Sequence, residues 1–131
     1  MARAIAPLGF PRVKVPATTT PYDAWTLDTR APLAPGEIRL AVDALNLDAT
    51  SFRDLWERHG GDSEKLAAEV LAIVAERGKM HNPRTGSGGV MRGRISEVGP
   101  LRLGEAAVGE PVVTLVSNTI VPLSLRAVMA V

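Results

Sequence analysis

With 131 residues, 46% of them hydrophobic and 22% charged, the chain is sized for one domain with a real core, residues 1–131, and is too apolar for a disordered tail. A formal net charge of +1 without a like-charge block, and only 4% aromatic residues, leave no case for a nucleic-acid partner or a membrane surface. The lack of cysteine and the presence of two histidines exclude disulfides, thiolate nucleophiles and histidine-rich metal sites.

In chain order, the N-terminal stretch is broken by Gly9, Pro11 and Pro16 and holds no apolar run long enough for a signal segment. Nothing elsewhere approaches the ~20 apolar residues of a membrane span, so a cytoplasmic protein is expected. Prolines at 7, 11, 16, 21, 32 and 35 limit residues 1–35 to extended segments and loops. In "YDAWTLD", Trp25 and Leu27 alternate, a weak strand signal that would lay Trp25 on the core. The clearest strand is "PGEIRLAVDALNLD". A Pro35-Gly36 turn precedes Ile38, Leu40 and Val42, which alternate with Glu37, Arg39, Ala41 and Asp43 as in a half-buried antiparallel strand. "SFRDLWERHGG" carries Phe52, Leu55 and Trp56 at helical spacing and stops at Gly60-Gly61, with His59 as a cation at the helix end. Residues 62–79 predict the one long helix, capped by Asp62 or Ser63, with Glu64 in its first turn, an apolar stripe of Leu66, Val70, Ile73 and Val74, and a stop at Gly78. A packing helix against a sheet is the bland reading of that stripe.

"GVMRGRISEVG" reads as a strand with Gly93 as a bulge, and "GEPVVTLVS" as a buried β-run. "TIVPLSLRAVMAV" is apolar and ends without a polar cap, so a chain cut from a longer one is expected, with apolar surface left open. Short strands, Gly/Pro turns and one substantial helix predict a mainly β, α+β domain: a partly open β-barrel with helices at its edge.

"HNPRTGSGGVMRGRISEVG", residues 81–99, is the most pointed stretch. A phosphate loop or a dinucleotide fingerprint would have to open a helix, and these glycines run into a strand. A nucleophile elbow at Ser87 would need a later histidine, and none follows. Glycines that let backbone approach backbone at a tight turn remain as the bland alternative.

The succession "PGEIRLAVDALNLDATSFRDL", "HNPRTGSGGVMRGRISEVG", "VGEPVVTLVS" resembles the GroES-like catalytic domain of the medium-chain dehydrogenase/reductase superfamily. Within it, "LNLD" followed by Ser51-Phe52, "GGD" before an inserted helix, and "HNPRTGSGG" are similar to the L-erythro-3,5-diaminohexanoate dehydrogenases of lysine fermentation. The likeness runs from about Trp25 to Ser117.

The resemblance implies NAD as cofactor, bound mainly by a Rossmann domain absent from this chain, and a small diamino acid as substrate, with a homo-oligomer possible at full length. It implies no zinc, because Asp48 stands where the superfamily has its first zinc cysteine, and Ser87 and Gly88 stand for His-Glu. Thr50 takes the place of the proton-relaying hydroxyl. Asp48 would either pair with a substrate ammonium or bond local backbone amides at a strand end. His81, with the ordinary histidine pKa of ~6.5, is a candidate general base or a hydrogen-bonding loop residue. Asn82 and Ser87 are candidate substrate contacts. The implied activity is oxidative deamination, with this chain inactive alone. The alternatives are a non-catalytic GroES-like binding or assembly module and a zinc-less quinone reductase-like domain.

Overall fold

The computed structural model describes residues 9–30, 32–101 and 104–131. The readings made for residues 1–8, extended backbone through Pro7 and no signal segment, lie outside them. The arrangement is α+β, with two helices and two antiparallel sheets among the described residues.

A 3₁₀ turn at Phe10–Arg12 leads into β1 (Val13–Val15), which pairs with β2 (Thr26–Leu27) in a two-stranded ribbon. A second sheet orders β3 (Ile38–Leu47), β4 (Gly89–Val98) and β5 (Pro111–Val113) side by side. Between β3 and β4 run α1 (Ala49–Arg58) and α2 (Ser63–Arg77). The described residues close no barrel; β1–β2 and β3–β4–β5 remain separate sheets.

Local chemistry sets the helix ends. Asp62 caps α2, its Oδ1 accepting from Glu64 N and Lys65 N at 3.0 and 3.1 Å. Gly78 ends it in the left-handed region at φ 65°, with its N–H on Val74 O, a common helix stop. The stripe Leu66, Val70, Ile73 and Val74 is buried with Leu55, Met80, Met91 and Leu123, and β3 covers this core with Leu40, Val42, Leu45 and Leu47.

Those four positions change phase, from even to odd. The register slips between Val42 and Ala44, where Asp43 is the extra residue opposite the Gly93–Arg92 step of β4. Such a bulge turns the following side chains to the other face, so Leu45 and Leu47 join the core that Leu40 and Val42 began.

Two expectations are corrected. Trp25 is not a core residue: it is 41% exposed, and the Arg77 guanidinium lies over its ring at 4.1 Å, while Leu27 and Ala24 are buried instead. "GEPVVTLVS" is not a buried run: β5 spans three residues at the sheet edge, and Leu115 beyond it is 99% exposed.

The N-terminal segment is tied down by charge. Arg12 donates through Nε and Nη2 to the two carboxylate oxygens of Glu37 at 2.9 and 2.6 Å, a bidentate pair. Arg77 Nε donates to Trp25 O at 3.0 Å, and Lys79 Nζ donates to Pro21 O and Tyr22 O at 2.7 and 3.0 Å. Both cations are buried, so the carbonyls stand in for lost hydration.

A Cβ on Gly78 would sit 2.2 Å from Leu27 O, whereas one on Gly60, also at positive φ, would meet nothing within 4 Å. Gly78→Ala is expected to cost about 3 kcal/mol in urea denaturation and Gly60→Ala only about 1 kcal/mol. Equal losses would show that the β2 backbone does not crowd the helix stop.

Candidate functional site

The site forms where the first turn of α1 meets the loop 81–89. Asp48 caps α1: its backbone is extended, and its Oδ1 accepts from Ser51 N at 3.2 Å. The local-backbone role considered for Asp48 is thus present, and it leaves the second carboxylate oxygen for other partners. The Asp48 N–H reaches across to Gly88 O at 3.3 Å.

The loop is closed by its own backbone. Asn82 N donates to Ser87 O at 2.9 Å, Gly86 N to Asn82 O at 2.8 Å, and Arg84 N to the Asn82 side-chain oxygen at 3.0 Å. A Cβ on Gly88 would fall 2.2 Å from Met80 O. Close backbone approach therefore accounts for this glycine, as the bland reading supposed.

One face of α1 holds the loop in place. Ser51, fully buried, points its hydroxyl at Ser87 O (3.0 Å), Ser87 Oγ (2.9 Å) and Thr85 Oγ1 (3.1 Å), and Thr85 and Ser87 meet at 2.8 Å. One turn on, Asp54 accepts from Asn82 Nδ2 at 3.0 Å, Arg84 Nε at 2.9 Å and Arg58 Nη2 at 3.3 Å. The hydrogen bonds from Asn82 and Arg84 lead the effects that hold the Asp54 carboxyl down at about 2. Arg58 and His59 both continue to Glu69 of α2.

Beside this joint lies an open cleft of about 580 Å³, lined by Tyr22, Asp48, the segment Gly86 to Val90, Leu115, Ser117, Thr119 and Ile120. Tyr22 donates its hydroxyl to Gly86 O at 2.9 Å. Two of the residues singled out from sequence, Asp48 and Ser87, thus share one cleft. The other three stand apart from its lining. Thr50 lies exposed in the first turn of α1, and Asn82 is fully buried with its amide on Asp54. His81 is buried beneath Tyr22, ring centroids 4.8 Å apart, and its Nδ1 has no partner among the described residues. Burial, then the cations Lys79 and Arg77, push the His81 imidazole down to about 4. Burial likewise lowers Lys79 to about 8.

Sequence reading passed over Tyr22, Ser51, Thr85 and Asp54. Tyr22 is the single tyrosine of the chain, but it is remote in sequence from the loop it touches. Ser51 and Asp54 carried a signal: with Leu55 and Arg58 they share one helical face.

Among the described residues no group of three or more His, Asp or Glu could hold a metal ion. The glycine-rich loop opens β4 and not a helix, so it lacks the N-terminal amides that cradle a dinucleotide's phosphates. These residues do not fit that cofactor.

Over residues 11–131 the chain matches the family described as L-erythro-3,5-diaminohexanoate dehydrogenase N-terminal domain. It is similar to two proteins named L-erythro-3,5-diaminohexanoate dehydrogenase, from Acetoanaerobium sticklandii and Fusobacterium nucleatum subsp. nucleatum. Each is 39% identical over 123 residues, which cover 92% of this chain and 36% of the relative. The chain therefore spans about a third of the length of these relatives.

His81 yields a pH prediction. Its folded pKa, about 4, lies below the ordinary 6.5, so the unfolded chain binds the proton more tightly and stability falls as pH drops from about 6.5 toward 4. The full effect is on the order of 3 kcal/mol. Urea denaturation of His81→Gln should lack that part of the slope; a slope unchanged from the parent chain would place the histidine in water.

Proposed function

The chain belongs to the L-erythro-3,5-diaminohexanoate dehydrogenase N-terminal domain family, and from that membership we propose that it is the substrate-side part of such an oxidoreductase. The reaction proposed for the whole enzyme is oxidative deamination of L-erythro-3,5-diaminohexanoate to 5-amino-3-oxohexanoate with NAD. A GroES-like kinship of the fold belongs to the same proposal. So does the placing of the dinucleotide on the segment that follows the matched region in the relatives. Alone, the chain would be inactive.

What supports the reading is the meeting of Asp48 and Ser87 in one cleft. A carboxylate there can pair with a substrate ammonium and take a proton from it, because charge-assisted pairing and proton acceptance need the same oxygen. Its cap bond to Ser51 N fixes the direction of that oxygen. Ser87 supplies a second polar contact. Thr50, on the same exposed turn, is the hydroxyl through which the proton can pass to water. His81 and Asn82 act from beneath the loop, shaping it without touching substrate. The oxidation itself needs a hydride acceptor that these residues do not hold, and no step of theirs depends on its geometry.

A binding module without chemistry would have no use for a carboxylate at this cap in preference to an asparagine, since both cap helices equally well. Asp48→Asn separates the roles. In the chain fused to the remaining segment of a relative, it should lower kcat/KM for the diamino acid by about 10²-fold or more. Stability should change by no more than about 0.5 kcal/mol. Full activity in this variant would reduce Asp48 to its cap.

A further inference from the structure

The hydroxyls behind the cleft decide which way Ser87 can hydrogen-bond. Ser51, Thr85 and Ser87 have three hydroxyl protons between them. They make four oxygen–oxygen approaches: Ser51 to Thr85 at 3.1 Å, Ser51 to Ser87 Oγ at 2.9 Å, Thr85 to Ser87 at 2.8 Å, and Ser51 to the Ser87 carbonyl at 3.0 Å. One approach already lacks a proton. If Ser87 turned its proton outward, two would lack one, and oxygens at this separation without an intervening proton repel. The stable arrangement spends every proton inside the cluster, so Ser87 offers the cleft a lone pair and no donor.

The neighbouring polar groups have the same sense. Tyr22 commits its proton to Gly86 O, and the Asp48 carboxylate only accepts. Tyr22, Asp48 and Ser87, side chains from three segments of the lining, therefore present acceptors, while Ser117, which accepts from Thr119 N and Oγ1 at 3.2 and 2.9 Å, is the lining hydroxyl with a proton to spare. A ligand group seated among them must bring protons.

We infer that Ser51 is a positioning residue that locks Ser87 as an acceptor and thereby makes the cleft select a protonated amine over a carbonyl or carboxylate. This rests on the proposed reading that the cleft takes an amine, and it adds which residue enforces the choice. It also gives the buried Ser51 hydroxyl a part in specificity that its depth would not suggest. In the proposed reaction the amine enters with protons to donate and the ketone leaves with none, so the same device favours product release.

The test is a calorimetric titration of the full chain with 3-aminobutanoate and with 3-oxobutanoate, which share a carboxylate and differ at the 3-position. The parent chain should bind the amine at least about tenfold more tightly. Ser51→Ala leaves two hydroxyl protons for one approach and should cut that preference to about threefold or less, whereas Thr85→Val, which leaves two protons for two approaches, and Thr85→Ser should keep it. Equal weakening of both ligands in Ser51→Ala, a preference lost in Thr85→Val, or a parent chain that binds the ketone as well as the amine, would overturn the inference. Because binding is read without turnover, the dehydrogenase reading can fail on its own. Amine selectivity with no NADH formed by the fused enzyme would sink that reading and leave this one standing.

Discussion

Everything proposed for this chain depends on the attachment of a glycine-rich loop to one face of helix α1. Ser51, Asp54 and Arg58 recur at the spacing of a single helical face, with Leu55 on the same side anchoring it in the core. The first two grip the loop: Ser51 by its hydroxyl on Thr85 and Ser87, Asp54 by its carboxylate on Asn82 and Arg84. A loop rich in glycine loses much conformational entropy on ordering. These contacts offset that loss, because a satisfied buried hydroxyl and a charge-assisted carboxylate are among the stronger polar interactions a protein makes. The cleft is a consequence of the joint, since Asp48 enters as the cap of the same helix and Ser87 as the far side of the same loop.

A second attachment adds Tyr22 to the wall of the cleft. The buried cations Arg77 and Lys79 hold the segment Pro21–Trp25 by its carbonyls and so bring Tyr22 over His81 and onto Gly86. Neither cation faces a carboxylate among these bonds, and burial lowers the pKa of both. The site is thus assembled from three stretches distant in sequence: the proline-rich segment, the start of α1 and the glycine loop. In the proposed reading, capping and chemistry share one residue at Asp48. The cap bond uses one carboxylate oxygen and aims the other, so the two roles considered for it are compatible.

What was legible in the sequence was local. The Asp62 cap, the Gly78 stop and the apolar stripe between them state α2 outright, because capping and periodicity act within a few residues. The start of β3 was legible for the same reason; the bulge expected at Gly93 lies instead in the partner strand, where Asp43 is the extra residue. The change of phase within β3 was not, since a bulge depends on the partner strand. Trp25 and the run after Pro111 misled because apolar character says nothing about what is left to cover it; one found Arg77, the other solvent. Of the site, Asp48 and Ser87 came from motif position. Tyr22, Ser51 and Thr85 were missed because their meaning lies in contacts across 34 to 64 residues of chain. Lys79 and Arg77 stand two and four residues before His81, but their burial and the covering ring of Tyr22 are not legible there.

The most direct measurement is a crystal structure of the chain soaked with 3-aminobutanoate. The expected result is the ammonium nitrogen within hydrogen-bond distance of Asp48 and Ser87, beneath Tyr22. A carboxylate group in that place, or an amine bound elsewhere with the cleft empty, would contradict the assignment of this cleft to an amine.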